Sequence, residues 1–414
     1  MTRPPTPWLP DVAPTAGQGR TGPGARRKRA LVVGGGFAGV EAATALQQAG
    51  GFDVTLVSDR DFLYLFPISV WVPVRGIPFR RAQVSLPEIA RKRGFRLVVD
   101  EVREIRSAEN LVRGGAGTYA YDYLVVALGA EKLKPAGAEH TLSICGNPQT
   151  GLDIRDRLDA LIAKGGGSIA VGFGGNPKDR SAVRGGPAFE LLFNIHALLK
   201  RRKIRDRFEL TFFAPMAEPG ERMGRRALSM IDAMFAKYDI ARRVGTPIAG
   251  FDAAGVAFAD GSRLDTDLVL FIPGAAGHSI MASSDLPLNE AGFVRIDDHG
   301  LVEGTTNVYA AGDVAALEGP DWRAKQGHTA EVMARNAAFN IVATEAGRPE
   351  RKGYQAHLSI VCLMDTGDGA GMVYRGRTRN VVVPLPLVGH WMKQAWGRYA
   401  RAVKLGRIPR VPGL

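Results

Sequence analysis

Cysteine is scarce in this chain, which has two, Cys145 and Cys362, among 414 residues. Two thiols so far apart in sequence do not make the disulfide framework of a small secreted domain. The residues alone leave open two inert buried thiols or one deliberate pair, and composition favours inert thiols. Long apolar runs are also missing, so no segment is expected to span a bilayer as a helix.

Acidic residues are outnumbered, and the formal net charge is +13. Such a charge allows nucleic acid, anionic lipid or a small anion as partner. The excess gathers at the termini and no recognition motif accompanies it, so nucleic acid is not expected. Residues 1–28, rich in Pro, Gly and Arg, predict a disordered basic leader. No apolar segment with a cleavage site follows Arg26 to Arg29, so the chain shows no recognisable secretory signal.

The main signal is a glycine-rich turn in Arg29 to Gly39, RALVVGGGFAG. Ala30 to Val33 predict a short buried strand, and Val40 to Gln48 predict a helix. Between them lies a G-x-G-x-x-G motif, formed by Gly34, Gly36 and Gly39. These glycines permit a tight turn, close approach of a pyrophosphate and close packing of helix on strand. The helix N-terminus would then face the phosphates, so we predict a dinucleotide site.

The segment that follows the second strand, Phe52 to Val57, bears on the other end of the nucleotide. The usual ribose-binding acid would fall at Ser58, and Asp59 comes next. A hydroxyl or the neighbouring carboxylate can still bond a ribose. Phe62 to Arg75 is aromatic and punctuated by proline. It predicts a surface loop packed against a flat ring such as a flavin, with plain core as the alternative.

A second strand and glycine turn, Ile169 to Gly175, is incomplete. Its helix is interrupted and resumes only at Ala188 to Arg201. The partner strand Leu210 to Phe213 ends in Ala214 and Pro215, without the acid that a NAD site would want. We therefore expect a degenerate dinucleotide fold that serves as scaffold, with a working NADH site as the alternative.

Two further strands end in residues suited to a cofactor. Tyr121 to Gly129 ends in a glycine that allows a ligand to approach the backbone. Thr305 to Asp313, TTNVYAAGD, ends at Gly312 and points the Asp313 carboxylate toward a polyol hydroxyl. Together with the first glycine turn, this pattern predicts FAD bound in an extended form.

Acidic residues are absent from Gly389 to Leu414. Within this stretch, Trp391 to Leu405 predicts an amphipathic helix. Its apolar stripe and its basic residues are Trp391, Ala395, Tyr399 and Val403, with Trp396 beside them, and Lys393, Arg398, Arg401, Lys404 and Arg407. We predict a helix lying in the plane of a membrane surface, with a helix docked on the core or on a partner as the alternative.

These segments together resemble the two-dinucleotide-binding-domain flavoproteins, and within them the sulfide:quinone oxidoreductases, from about Arg29 to Arg407. The general motifs are RALVVGGGFAG, YDYLVVALGA and NVYAAGDVA. More specific are VTLVSDRDFLYLFPISVWVPVRG, SIC at Ser143 to Cys145, GGPAFE at Gly185 to Glu190, CLMDTGDGAG at Cys362 to Gly371, and GHWMKQAWGRYARAVKLGR.

The resemblance implies an α/β fold with two Rossmann-like dinucleotide-binding domains, an FAD domain and a degenerate NAD-like domain, followed by a C-terminal amphipathic, membrane-binding helical region. The expected segments are 1–28 leader, 29–145 FAD domain first part, 146–289 second Rossmann-like domain, 290–348 FAD domain second part, and 349–414 redox-cysteine and membrane-binding region.

The resemblance also assigns roles to individual residues. It makes Cys145 and Cys362 a redox-active pair beside the flavin, with Cys362 facing the ring and Cys145 carrying the growing sulfur chain. Lys325 would stabilise negative charge on the reduced ring. The implied FAD contacts are Gly34, Gly36, Phe37, Ala38, Gly39, Ser58, Asp59, Phe66, Pro67, Val102, Ala127, Gly129, Gly312, Asp313, Lys325 and Gly327. No residue is assigned to a metal.

The chain also departs from the family pattern. A third cysteine near the end of the YDYLVVALG strand is absent, so non-covalent FAD is expected. Gly151 stands where an acid commonly follows the first redox cysteine, and His140 is only a nearby candidate for a proton carrier. The loop Gly172 to Arg184 is unusual.

The implied activity is oxidation of sulfide, or a related small sulfur anion, to sulfane sulfur or polysulfide, with electrons passed to a membrane quinone. The expected location is peripheral on a membrane, and a homo-oligomer is left open. The alternatives are a type II NAD(P)H:quinone dehydrogenase-like flavoprotein and a non-catalytic electron-transfer partner whose basic helix docks an acidic protein.

Overall fold

The computed structural model describes residues 26–411. Most of the predicted leader therefore lies outside the described residues. The helices are α1 Phe37–Ala49, α2 Phe66–Ser69, α3 Leu86–Arg93, α4 Thr150–Lys164, α5 Gly186–Arg201, α6 Arg225–Lys237, α7 Gly327–Glu345 and α8 Val388–Lys404. The strands of the first half are β1 Lys28–Val33, β2 Phe52–Ser58, β3 Phe62–Tyr64, β4 Gln83–Ser85, β5 Arg96–Val99, β6 Val102–Arg106, β7 Leu111–Gly114, β8 Thr118–Ala120, β9 Tyr123–Val126, β10 Glu131–Lys132 and β11 Gly167–Phe173. Those of the second half are β12 Phe208–Ala214, β13 Ala241–Val244, β14 Ile248–Asp252, β15 Gly255–Phe258, β16 Arg263–Asp265, β17 Leu268–Ile272, β18 Ala275–Ala276, β19 Val308–Ala310, β20 Ile360–Asp365, β21 Gly369–Arg375 and β22 Asn380–Pro386.

The first sheet has five parallel strands in the order β19-β9-β1-β2-β5. Ala30 to Val33 of the central strand are all buried, as expected for a parallel strand covered on both faces. Helices α1 and α7 pack against each other beside this sheet. The carboxyl ends of β1, β2, β9 and β19 therefore meet at one edge, where ligands of such sheets bind.

The second sheet has four parallel strands in the order β13-β12-β11-β17. Helix α5 buries twelve of its sixteen residues. An aromatic cluster joins it to the sheet, because Phe189 stacks on Phe212 with ring centroids 4.9 Å apart and meets Phe173 edge-on at 5.6 Å. The two parallel sheets confirm the predicted α/β class.

The C-terminal region consists of the antiparallel sheet β20-β21-β22 and helix α8. Small residues let α8 approach its neighbours closely. A Cβ atom at Gly389 would lie 2.4 Å from Ala370 Cβ, and one at Gly397 would lie 3.0 Å from Ile68 Cγ2. One face of α8 is thus docked on the protein, while Trp391 on another face is 67% exposed.

Two sequence expectations were wrong. Phe62 to Arg75 is not a surface loop: it forms β3, α2 and a turn, and Trp71 in it is 3% exposed because α8 covers this segment. Lys393 and Lys404 do not face outward, since both are 4% exposed and paired with glutamates. The predicted basic face of α8 therefore loses two of its charges.

Candidate functional site

A cavity of about 1830 Å³ lies where the first sheet, the second dinucleotide fold and the C-terminal region meet. Ordinary small-molecule pockets measure roughly 300–1,000 Å³. The cavity can therefore accept an extended dinucleotide together with a second ligand. Its lining includes Cys145 and Cys362, and every predicted flavin contact except Gly39.

The glycine turn after β1 forms one wall of the cavity. Gly34 has a φ of +106°, and a Cβ atom there would lie 2.3 Å from the Ala127 carbonyl oxygen. A Cβ atom at Gly39 would lie 1.8 Å from the Gly34 oxygen, so this residue lets α1 pack on the turn without itself lining the cavity. Gly36 faces open space, and no side chain caps the first turn of α1. These features fit a pyrophosphate at the helix N-terminus.

The end of β2 shows how the chain manages without the usual acid. Ser58 is buried against Gly35, where a Cβ atom would come within 2.3 Å of the Ser58 hydroxyl oxygen. The Ser58 hydroxyl accepts a hydrogen bond from the Arg60 backbone N–H at 3.3 Å. Asp59, whose side chain is 61% exposed, lies 3.4 Å from Arg60 and supplies the accessible carboxylate. Val102 also lines this end of the cavity.

The end of the cavity that is predicted to hold the flavin carries charged groups of both signs. Asp313 follows Gly312, which has a φ of +82°, and its carboxylate pairs with the guanidinium of Arg184. The Lys325 ammonium donates to the Ala315 carbonyl and lies 3.8 Å from the centre of the Phe293 ring. Burial lowers the pKa of Lys325 to about 8. Gly327 begins α7, so a second helix N-terminus lines the cavity.

Both cysteines are free thiols. Cys145 is buried after β10, and burial raises the pKa of its thiol while Lys132 and Arg184 act in the opposite direction. Cys362 lies on β20, with its Sγ atom 4.0 Å from Glu190 Oε1. Burial, and then the charge of Glu190, raises the pKa of Cys362 to about 12.

Glu190 and Lys393 form a buried ion pair next to Cys362 that sequence reasoning missed. Burial raises the pKa of Glu190 to about 7, although Lys393 lowers it. Glu190 therefore exchanges its proton near neutral pH, which suits a proton acceptor. Its position in the GGPAFE segment was the available signal, whereas Lys393 was interpreted as a membrane-facing charge.

A second polar network stands behind this pair. Asp365 is fully buried and accepts hydrogen bonds from Trp71 Nε1 at 3.1 Å and from the backbone N–H of Gly367. Its carboxylate also lies 2.7 Å from His390 Nδ1 on α8. The Lys393 ammonium lies 5.8 Å from the centre of the Trp71 ring. The network fixes α8 and the Lys393 side chain relative to the cysteine strand.

The second dinucleotide fold lacks the tight glycine turn. Twelve residues, Gly174 to Gly185, separate β11 from α5, against three residues between β1 and α1. This insertion is tied down where Asn176 Nδ2 donates to the Ala275 carbonyl at 2.9 Å. The acid predicted to be missing has a counterpart, since Glu218, four residues beyond β12, lines the cavity.

Two residues singled out by the sequence lie apart from this chemistry. His140 does not line the cavity; its side chain is 40% exposed and lies 3.9 Å from Glu139. Gly151 is buried at the start of α4, where a Cβ atom would be 3.5 Å from Val72. An acid at Gly151 would therefore lie beside Val72 and the Tyr64 hydroxyl, whose oxygen would be 3.7 Å from its Cβ atom.

Comparison with known proteins agrees with this arrangement. The family model described as "Pyridine nucleotide-disulphide oxidoreductase" matches residues 28–338. Sulfide-quinone reductase of Aquifex aeolicus is 25% identical over 399 residues, which are 90% of each chain. The X-ray structure of the sulfide:quinone oxidoreductase from that bacterium superposes with a TM-score of 0.82 at 24% identity, over 92% of each chain. These matches confirm the resemblance drawn from the sequence.

A second group of relatives is nearly as similar. The type II NADH:quinone oxidoreductase of Staphylococcus saprophyticus is 23% identical over 374 residues, 84% of this chain and 90% of its own. Both groups share the fold, so identity at this level does not separate their activities. By its matching family model and its fold, the chain belongs to the pyridine nucleotide-disulphide oxidoreductases, a family of FAD-binding flavoprotein oxidoreductases.

Proposed function

We propose that this chain is a flavoprotein that oxidises sulfide to sulfane sulfur and passes the electrons to a membrane quinone. One observation carries the proposal: the only two cysteines of the chain line the same cavity as the glycine turn and Asp313. The sequence keeps these thiols 217 positions apart, as its numbering shows. Both thiols thus line the predicted cofactor cavity, as a redox pair beside a flavin requires.

The residues that line the cavity fit FAD. Gly36 and the N-terminus of α1 would hold the pyrophosphate, Asp59 the adenosine ribose, and Asp313 the ribitol. The buried hydroxyl of Tyr64 has no hydrogen-bond partner in the described residues and lines the same cavity. FAD supplies the electron transfer, and the protein supplies binding, orientation and electrostatics.

The chain's own residues manage the proton of Cys362. The thiol is protonated at neutral pH, and only the thiolate is a nucleophile. Glu190 Oε1 is 4.0 Å from Sγ and exchanges its proton near neutral pH, so it can accept the thiol proton. Lys393 then balances the charge that remains on sulfur. Lys325, near its own pKa, can hold a proton or a charge at the flavin end.

Quinone would arrive from an apolar surface at the C-terminal region. Among residues 26–411, ten of the eleven large exposed hydrophobic side chains belong to residues after Ser359; they are Val361, Met372, Val381, Val383, Leu387, Val388, Trp391, Met392, Ile408 and Val411. Val361, Met372 and Met392 also line the cavity. Exposed apolar patches of this kind mark membrane or protein contacts. Among residues 26–411 no helix is long and apolar enough to cross a membrane, so we propose peripheral attachment through this surface.

An NADH:quinone activity is the second candidate, and Glu218 favours it. This carboxylate lies in the cavity wall beyond β12, where a nicotinamide cofactor would place its ribose. Against it stands the insertion Gly174 to Gly185, which replaces the tight turn needed by a pyrophosphate. If the protein oxidises NADH in this way, Cys145 and Cys362 have no part in turnover.

The test is reduction of the bound flavin, followed by its absorbance after anaerobic mixing with sulfide or with NADH. Cys145→Ala and Cys362→Ala run beside wild type, and Ser143→Ala controls for packing near Cys145. We expect sulfide to bleach the flavin of wild type and of Ser143→Ala, quinone to restore it, and both cysteine variants to fail. If NADH reduces the flavin, and does so equally well in wild type and in both cysteine variants, the proposal is overturned. No response to either donor would leave the electron-transfer partner.

A further inference from the structure

One buried hydroxyl on the cavity wall, that of Tyr64, lacks a hydrogen-bond partner among residues 26–411. Tyr64 lies on β3 and is 3% exposed, and the Phe66 ring holds its ring edge-on with the two centroids 4.9 Å apart. The hydroxyl of Ser69 is directed elsewhere, since it donates to the Phe66 carbonyl at 2.8 Å. A buried hydroxyl without a partner costs stability, so its acceptor is to be sought in a ligand of the cavity.

The Tyr64 hydroxyl faces the segment Cys145 to Gly151, which we call the cysteine loop. Backbone hydrogen bonds fold this loop into turns, one of them from the Thr150 N–H to the Asn147 carbonyl at 3.0 Å. Cys145 and the three residues after it line the same cavity as Tyr64. A Cβ atom at Gly151 would lie 3.7 Å from the Tyr64 hydroxyl oxygen, so the hydroxyl reaches the end of the cysteine loop.

The protein itself offers this hydroxyl no acceptor. No atom of residues 26–411, the Cys145 sulfur included, accepts its hydrogen bond. Gly151, next to the hydroxyl, has no side chain that could do so. Burial raises the pKa of Tyr64 to about 12, so the hydroxyl keeps its proton throughout the neutral range. It is therefore a permanent donor that faces the cysteine loop across the cavity.

We propose that the Tyr64 hydroxyl donates a hydrogen bond to a sulfur atom that Cys145 carries as a persulfide. A sulfur atom bonded to Sγ extends this side chain by about 2 Å and brings a new acceptor into the cavity. The outer sulfur of a persulfide ionises to an anion, and hydrogen bonds to charged acceptors are the stronger ones. The hydroxyl therefore favours the anionic persulfide over its neutral form. The inference rests on the proposed function, because sulfide must first place a sulfur atom on Cys145.

The test measures the acidity of a Cys145 persulfide in the holoprotein, in the absence of quinone. Tetrasulfide transfers one sulfur atom to the Cys145 thiolate and leaves as trisulfide, so atoms and charge balance. The persulfide is then alkylated with iodoacetamide across a range of pH, and mass spectrometry follows each cysteine separately. We expect Tyr64→Phe to raise the pH of half-maximal alkylation at Cys145 by about one unit, which makes the reaction about tenfold slower at lower pH.

A matched variant separates this contact from general effects. Tyr121→Phe removes the hydroxyl of another buried tyrosine that has no hydrogen-bond partner in the described residues and does not line the cavity, so it should cause no shift. The persulfide of Cys362, whose neighbours are Glu190 and Lys393, should titrate alike in all three proteins. The charged groups that act on Cys145 are the same in each; they are Lys132, Arg184, Glu190 and Asp313.

A second pair of variants acts on the same hydroxyl from the cysteine loop. Gly151→Ser places an oxygen within reach of the Tyr64 hydroxyl and should occupy its proton, so the midpoint should rise as it does in Tyr64→Phe. Gly151→Ala adds only a Cβ atom at an ordinary contact distance and should leave the midpoint unchanged. Before sulfur is loaded, Tyr64→Phe should not unfold at a lower temperature than wild type, because it removes an unpartnered hydroxyl.

The outcomes separate this inference from the proposed function. If Cys145 takes up no sulfur, or if its persulfide has the same midpoint in wild type and in Tyr64→Phe, the inference is overturned. If Tyr64→Phe loses flavin and the midpoint does not change, the hydroxyl serves the cofactor and the inference is again overturned. A raised midpoint in a protein whose flavin is not reduced by sulfide would support the hydroxyl contact and overturn the proposed function.

Discussion

Helices α1 and α5 hold the same place in the two dinucleotide-binding folds, because each follows the first strand of its sheet in chain order. Each carries an enclosed glutamate at its fifth residue, Glu41 in α1 and Glu190 in α5. Each glutamate pairs with a buried lysine of α8, Lys404 with Glu41 and Lys393 with Glu190. The two folds are thus fastened to one helix by the same kind of contact.

The surroundings give these two pairs different chemistry. Burial raises the pKa of Glu41, but Lys404, Arg410 and Arg335 outweigh it and lower the pKa to about 2. Glu190 has one cation, Lys393, and burial raises its pKa to about 7. The first pair therefore stays ionised at any pH well above 2 and serves the structure. In the second pair, the pKa of Glu190 lies near neutral pH and its carboxylate is next to the Cys362 thiol, so a proton can move between them.

The turns that precede these two helices also differ between the two folds. Gly34 to Gly36 leave the N-terminus of α1 open to the cavity, while the insertion Gly174 to Gly185 covers the approach to α5. We propose that the first fold holds the phosphates, whereas in the second fold α5 places Glu190 next to Cys362. Divergence inside a shared fold lies in the residues around the sheet edge and in the loop length.

The largest expected effect comes from placing one methyl group in each turn. Gly34→Ala puts a Cβ atom 2.3 Å from the Ala127 carbonyl oxygen at a φ of +106°, so we expect the protein to lose nearly all of its flavin. Gly174→Ala has no such φ, and its Cβ atom would meet only the tip of the Phe271 ring at 3.1 Å. This variant should keep its flavin, as measured by the ratio of flavin to protein absorbance.

Equal flavin loss in both variants would show that the second turn also shapes the flavin site. A thermal unfolding curve of each variant distinguishes loss of cofactor from loss of fold. The backbone strain of a non-glycine residue at such a φ costs roughly 1–3 kcal/mol, and the close approach to the Ala127 carbonyl adds to it, so Gly34→Ala should unfold at a lower temperature than wild type.

The local motifs of the first fold could be predicted from the sequence because each of them depends on residues within about a dozen positions of one another. The strand before Gly34, the helix after it and the carboxylate of Asp313 lie where the pattern placed them. The gathering of Cys145 and Cys362 in one cavity came from the resemblance, since spacing alone favoured two inert thiols.

The ion pairs of α8 could not be predicted, because their partners are 203 and 363 residues away in the chain. An acid-free helix with regularly spaced lysines is typical of a membrane surface, and nothing local marks which lysines are buried. The prediction that the aromatic segment with Trp71 is a surface loop was wrong for the same reason. The helix that covers this segment, α8, is distant in the sequence.

The second prediction concerns stability. Removing one partner of a buried ion pair costs about 3–5 kcal/mol. Lys404 pairs with both Glu41 and Glu331, so we expect Lys404→Met to lower the free energy of unfolding by about 3 kcal/mol at neutral pH, although Arg335 and Arg410 still pair with Glu41. Lys393→Met should cost less, because Glu190 can take up a proton and become neutral. Urea denaturation measures both, and Arg398→Met, at an exposed position of α8, is the control.

The same pair gives a pH dependence. Because the pKa of Glu41 is lowered to about 2, its contribution is fully present above the ordinary value of 4.5 and is lost as the pH falls through about 2. A Lys404→Met protein should therefore lose less stability on acidification than wild type. If Lys404→Met and Lys393→Met lower the free energy of unfolding at neutral pH by the same amount, the division into a structural pair and a titrating pair is contradicted.

The smallest effect tests the proton shared by Glu190 and Cys362. Up to a pH of about 7, each added pH unit raises alkylation of Cys362 by iodoacetamide tenfold in wild type, because the reactive form has lost one proton from the pair. As Glu190 ionises near 7, its charge raises the pKa of Cys362, so the rate rises less steeply across this range and then climbs again toward the pKa of Cys362 at about 12.

Glu190→Gln removes this change of slope. With no carboxylate 4.0 Å away, the rate rises tenfold per pH unit straight through 7, and above that range it should exceed the wild-type rate by roughly tenfold, the effect of one pKa unit. Glu41→Gln, the matching change in the first fold, should keep the break near 7. If the Lys393 ammonium left unpaired unfolds the single variant, Glu190→Gln with Lys393→Met makes the same test. If the slope of the alkylation rate still changes near pH 7 in Glu190→Gln, the change is due to another titrating group. Glu190 would then not accept the proton of Cys362.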